Sequence, residues 1–153
     1  MSEITRIIDE LKNIHDGDAW HGLSLKEALT NVTPQQAAAR PVDDAHSIWE
    51  LVLHIKAWEN VWRIRLEGDQ ATEPEEGDFP PVKEISEQAW AQALAELDAR
   101  HKRLLGVISE LSESALEETV VGTEYSIRFL LRGVIRHHVY HAGQIALLKK
   151  AFS

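Results

Sequence analysis

Four segments of the chain repeat apolar residues every three or four positions, with polar residues filling the positions between. The first runs from Ile4 through Ile7, Ile8 and Leu11 to Ile14, with Ser2 placed to cap it and Gly17 to end it. The second covers Ala45 to Glu67, with Ile48, Leu51, Ile55, Trp58 and Trp62 as its buried stripe and Gly68-Asp69 as its stop. The third opens at Ser86 and carries Ala89, Trp90, Ala93, Leu97, His101, Leu104, Leu105 and Ile108 on its apolar face, up to Leu111. The last is Ser126 to Lys150. At 100° per residue its Ile127, Leu130, Val134, His137, His141, Ile145 and Leu148 share one stripe.

The intervening segments carry shorter signals. Ser24 with Glu27 three residues later reads as a capping box opening a short helix, SLKEALTNV. Thr33-Pro34 starts another short helical turn through Ala39, and Pro41 stops it. Residues 70–81, QATEPEEGDFPP, read as a long solvated crossover; neither flanking half is large enough to fold alone, so this is no domain boundary. A short turn and an extended connector, VVGTEYS, lead into the last helix. Strand signals are nearly absent. The pattern predicts an all-α four-helix bundle, one domain over residues 1–153, with the long crossover between the second and third long helices.

The last stripe raises a chemical question. His137 and His141 lie one helical turn apart on a face expected to be core, so both rings reach one point beside the helix. A lone core histidine is usually satisfied by a carbonyl or a carboxylate. Two stacked neutral rings need two such partners or one shared cation, and this is the spacing with which a helix offers two ligands to one ion. A third ligand must come from elsewhere. His54, the only histidine in the middle of the second long helix, sits at the edge of that helix's stripe.

Composition narrows the chemistry. The chain has no cysteine, which excludes disulfides, thiolate metal sites and a cysteine nucleophile, and leaves histidine as the natural ligand. A formal net charge of −9 argues against nucleic acid or an anionic membrane as a main partner. The N-terminal stretch MSEITRIIDELKNIH does not read as a signal peptide, and no apolar run approaches membrane-spanning length, so a cytoplasmic protein is expected.

Three pieces, AWHGLS, HSIWELVLHIKAWE and HHVYHAGQI, resemble the DinB-like (YfiT-like) metal-binding four-helix-bundle superfamily. The resemblance covers nearly the whole chain and is most specific at the histidine of the second long helix and at the HxxxHxGQ string. It implies a divalent ion, zinc or nickel, on His54, His137 and His141, and a homodimer. Characterised members of that superfamily include bacillithiol- and mycothiol-dependent S-transferases and a maleylpyruvate isomerase, while others look hydrolytic. The resemblance thus implies an enzyme acting on a small-molecule substrate, with a low-molecular-weight thiol or an activated water at an open metal position. The rival readings are a non-catalytic stress-response protein with a structural ion, and a plain bundle whose histidines only pack.

Further candidates each have a bland counterpart. Glu50, one turn before His54, reads as a base or ring partner, or as a solvated helix carboxylate. Gln144, three residues after His141, reads as a support for that ring or as the polar edge of the core. Tyr140 is placed for the pocket rim or for ordinary half-burial. Trp20 and His21 occupy a loop that would lid the open metal positions. His138 should point away from the site, into a helix or subunit contact. Gly143, inside the last helix, calls for the close approach of another backbone.

Overall fold

The computed structural model describes residues 1–153 as an all-α chain without strands. It comprises α1 (Glu3–Asp16), α2 (Leu25–Leu29), α3 (Pro34–Ala38), α4 (Ile48–Leu66), α5 (Glu87–Ser109) and α6 (Ile127–Lys149), with short 3-10 turns at Glu113–Glu117 and Lys150–Phe152. No helix is long and apolar enough to cross a membrane. Every one of the six α-helices opens on a Ser or Thr whose hydroxyl accepts from the backbone three residues on: Ser2, Ser24, Thr33, Ser47, Ser86 and Ser126. Capping boxes with Glu27, Gln36 and Glu50 reinforce three of them. The second long helix therefore begins at Ile48 and not at Ala45, because Ser47 caps it.

The four long helices pack in a ring, α1 against α5, α5 against α4, α4 against α6, and α6 against α1. Contacts between α4 and α5 advance together along both helices: Trp49 meets Trp90, Lys56 meets Glu96, and Glu59 meets His101. These neighbours run in the same sense, and only a long crossover can return the chain to start a parallel helix. That is the physical reason for the stretch 67–86. The stretch is not merely solvated, as its composition suggested. Arg65 donates to the Ala71 and Thr72 carbonyls, Arg100 pairs with Glu76, and Asp78 and Phe79 are anchored on α4.

Two apolar clusters occupy the two ends of the ring. One gathers Leu25, Ala37, Ile48, Leu51, Ile55, Trp90, Leu97 and Ile145, closed by the short helices α2 and α3. The other gathers Leu11, Trp62, Leu104, Ile108, Leu116, Leu131 and Val134. Between them, at residues 54–59, 98–101 and 137–141, lies a layer in which buried polar side chains replace hydrocarbon. Each fully buried Leu or Ile side chain contributes roughly 1.5–3 kcal/mol, so the two apolar ends carry the stability that this polar middle layer gives up.

Candidate metal centre

The middle layer holds two groups of side chains, each with three ligand atoms close enough to share an ion: His54, His137 and His141, and Glu59, His101 and His138. The first group brings together the two histidines singled out by spacing, His137 and His141, and His54 of the second long helix. Their Nε2 atoms form a nearly equilateral triangle, with separations of 3.0 Å (His54–His137), 3.1 Å (His54–His141) and 3.1 Å (His137–His141).

The outer nitrogens decide what those three atoms are. The Nδ1 of His54 lies 2.7 Å from the carbonyl oxygen of Asp78, which only accepts, so Nδ1 carries the proton. The Nδ1 of His141 likewise donates to Oε1 of Gln144 at 2.6 Å. In the neutral rings the inner Nε2 atoms of His54 and His141 are then bare lone pairs 3.1 Å apart, while His137, whose Nδ1 is buried without a partner, has no outer contact to fix its proton. Lone pairs so placed repel unless a cation sits among them. Nitrogens bound about 2.0–2.1 Å from one ion lie roughly 2.9–3.4 Å apart, which these separations fit.

Protons are poor candidates for that cation. Burial pushes the pKa of His137 down to about 2, and the neighbouring charges of His141, His138 and His54 add to the effect. His141 is also lowered, first by burial and then by His54 and His138, against the opposing bond to Gln144. His137 and His141 therefore stay neutral at physiological pH, the protonation state a divalent ion requires.

Neighbouring rings and loops fix the orientation. Phe79, from the crossover, stacks on His54 with centroids 4.1 Å apart, and on its other face against His46 at 3.6 Å. Trp62 meets the His137 ring edge to face at 4.9 Å. A cavity of about 380 Å³ opens beside His54 and His137, walled by Trp58, Trp62, Phe129, Leu130 and Val134, with Asp78 as its charged group. A second cavity, of about 410 Å³, flanks His141 on the other side, with Gln144, Tyr140 and Phe79 in its wall.

The remaining sequence candidates fall out as follows. Gln144 stands against His141, and Tyr140 lies on the rim, its ring centroid 5.1 Å from that of His141. Glu50 is placed elsewhere. Its carboxylate accepts from Arg40 at 2.7 and 2.9 Å, from His46 Nδ1 at 2.8 Å and from the Ser47 backbone, so it caps α4 and makes no hydrogen bond to any of the three rings. Trp20 is fully exposed and His21 bonds to the Leu23 carbonyl; neither lines a cavity beside the rings. Trp58 is not core but cavity wall, its Nε1 donating to Asp78 Oδ1 at 2.7 Å.

Sequence reasoning missed three residues. Asp78 and Phe79 sit in a segment whose composition signals only solvent, and nothing local marks them. Glu59 had a signal. Ile48, Val52, Ile55, Glu59, Trp62 and Leu66 step by four, three, four, three and four, so the stripe of α4 passes through a glutamate that is 1% exposed. In the same way the core stripe of α6 passes through His138, which is fully buried, while His137 stands half-buried at its side.

The architecture is that of an all-α protein whose helices converge on a buried group of histidines able to hold a metal ion. The family model described as the DinB superfamily matches residues 20–145, and the chain belongs to that superfamily. Comparison with curated proteins and with solved structures returned no match.

Proposed function

We propose that the protein is a metal-dependent enzyme that holds zinc or nickel on His54, His137 and His141 and transfers a low-molecular-weight thiol to, or adds water to, a small organic substrate. The single observation that carries this reading is the triangle of Nε2 atoms 3.0–3.1 Å apart, with the outer nitrogens of His54 and His141 committed to Asp78 and Gln144. No fourth His, Asp or Glu joins the group, so an ion there keeps positions open to exogenous ligands, which a structural site closes.

A divalent ion in such a site supplies Lewis acidity and lowers the pKa of a thiol or water placed on it. The chain has no cysteine, so a thiol must come from solution. The three imidazoles hold, and the Asp78 carbonyl and Gln144 orient, while Phe79 keeps the His54 ring from turning. Trp58, Trp62, Leu130 and Val134 exclude water and offer an apolar wall to the body of the substrate. A cytoplasmic location suits this chemistry, since thiol cofactors are kept reduced there. The net charge of −9 supports a small molecule over nucleic acid as partner.

A homodimer through α6 fits as well. Phe129 (61% exposed), Tyr140 (65%) and Leu147 (69%) line its outer face, and nothing in the chain approaches within 4 Å of a Cβ built on Gly133 or Gly143. The backbone that Gly143 invites is not supplied by this chain, and a second copy supplies it.

The test is the spectrum of cobalt-substituted protein titrated with small thiols. A new sulfur-to-cobalt charge-transfer band supports the thiol reading. A spectrum indifferent to thiols but shifted by hydroxide supports the hydrolytic one, and indifference to both would leave only a structural ion.

A further inference from the structure

The second polar group of the middle layer lies deeper than the first. Glu59 of α4, His101 of α5 and His138 of α6 are 1%, 2% and 0% exposed. One carboxylate oxygen, Oε1 of Glu59, lies 2.8 Å from His101 Nδ1 and 2.7 Å from His138 Nε2, while the other, Oε2, is buried without any partner. The Nδ1 of His138 donates to the Val134 carbonyl at 2.8 Å. In the neutral ring its Nε2 is therefore a lone pair aimed at an anionic oxygen, and something positive must lie between them.

We propose that Glu59, His101 and His138 hold a second divalent cation, distinct from the one assigned to the three-histidine group. The inference stands independently of that group's function. The construction repeats the device seen at His54, in which a backbone carbonyl fixes the outer nitrogen and turns the inner one toward a common point. A carboxylate with two imidazoles is a metal-binding donor set suited to borderline divalent ions. A proton shared between Glu59 and His138 satisfies Oε1 alone. A cation also engages Oε2, otherwise an orphaned anionic oxygen in the driest part of the molecule. His15 of α1 stacks on His101 with centroids 4.1 Å apart and lines a cavity of about 360 Å³ between α1, α2 and α5, so one ring separates the inner group from that cavity.

The experiment loads the full-length, metal-stripped chain with cobalt(II) alone, removes excess by gel filtration and counts bound metal by elemental analysis. Two ions per chain are expected, one in Glu59→Gln, and one in the double variant His54→Ala/His141→Ala, which leaves the inner group intact. An inner group held by a proton instead predicts no retained metal in the double variant. That result overturns the proposal, as does a folded Glu59→Gln protein that still binds two. Should Glu59→Gln fail to fold, the double variant decides by itself, because His54 and His141 each border a cavity and neither is hydrogen-bonded to the inner group.

Discussion

Two histidine groups share one layer of this molecule and differ in a single respect, what faces their inner nitrogens. At the rim, three imidazoles face one another with no anion among them and two cavities alongside. In the centre, two imidazoles face a carboxylate and all three side chains are almost fully buried. The first arrangement is unstable as a set of neutral rings and is completed from outside. The second is already a partly compensated charge cluster. In Glu59 burial opposes ionisation, but the bonds from His101 and His138 outweigh it and hold the pKa down to about 2. The comparison teaches that the same residue type, on neighbouring helix turns, serves exchange with solvent where it borders a cavity and internal cohesion where it is sealed.

The contrast can be broken from either side. The largest effect is expected for His141→Ala, which should remove one ion per chain by elemental analysis without unfolding the chain; undiminished metal would remove the three-histidine site. Glu59→Ala should do the opposite, leaving buried imidazoles unpaired and costing about 3–5 kcal/mol in urea unfolding of the metal-free protein. A cost under about 1 kcal/mol would show the central cluster to be dispensable. Gln144→Leu frees the outer nitrogen of His141 and should weaken rim-site metal affinity roughly 10- to 100-fold, read by competition with a chelator.

Acid should sharpen the comparison. His15, His137 and His141 all have folded pKa values below the ordinary 6.5, so the folded state binds fewer protons than the unfolded chain beneath that pH. Their stability contribution is complete above 6.5 and is lost as pH falls below it. Glu59, held at about 2 against an ordinary 4.5, adds a second loss that begins only below 4.5. The urea midpoint of metal-free protein should be flat above neutrality and then decline in these two stages. A midpoint constant from neutrality down to pH of about 5 would contradict the assignment of the rim rings as buried and neutral. The smallest change is at Gly143. Alanine there gains about 1 kcal/mol of helix propensity in an isolated chain. If α6 packs on a second copy, the same substitution should weaken the dimer in analytical ultracentrifugation.

Much of this was written in the residue pattern. Helix limits followed from Ser and Thr caps and from apolar steps of three and four, because capping and amphipathicity are local properties that need no partner to be recognised. His137 and His141 were found by the same means, since one turn of separation on a helix is a geometric fact whatever surrounds it, whereas His54 joined them through its place in the second long helix and the family resemblance. What the pattern misplaced was the core histidine of the last helix, which it read as His137 and which is His138. His137 and His138 differ by one rotation step, and only the packing of Trp62, Val134 and Glu59 around α6 settles that His138 is the sealed one.

Tertiary structure alone decided the rest. Asp78 and Phe79 come from a stretch that composition assigns to solvent, yet the parallel pairing of α4 and α5 forces that stretch back across the site and sets them on His54. Glu50, open in the sequence to reading as a base, a ring partner or a solvated carboxylate, is held by Arg40, ten residues before it, through a turn that local patterning does not describe. The periodicity of a chain determines which faces are buried, because burial of hydrocarbon is summed over many residues. Which polar atom meets which is a matter of single contacts between distant segments, and those exist only once the helices have packed.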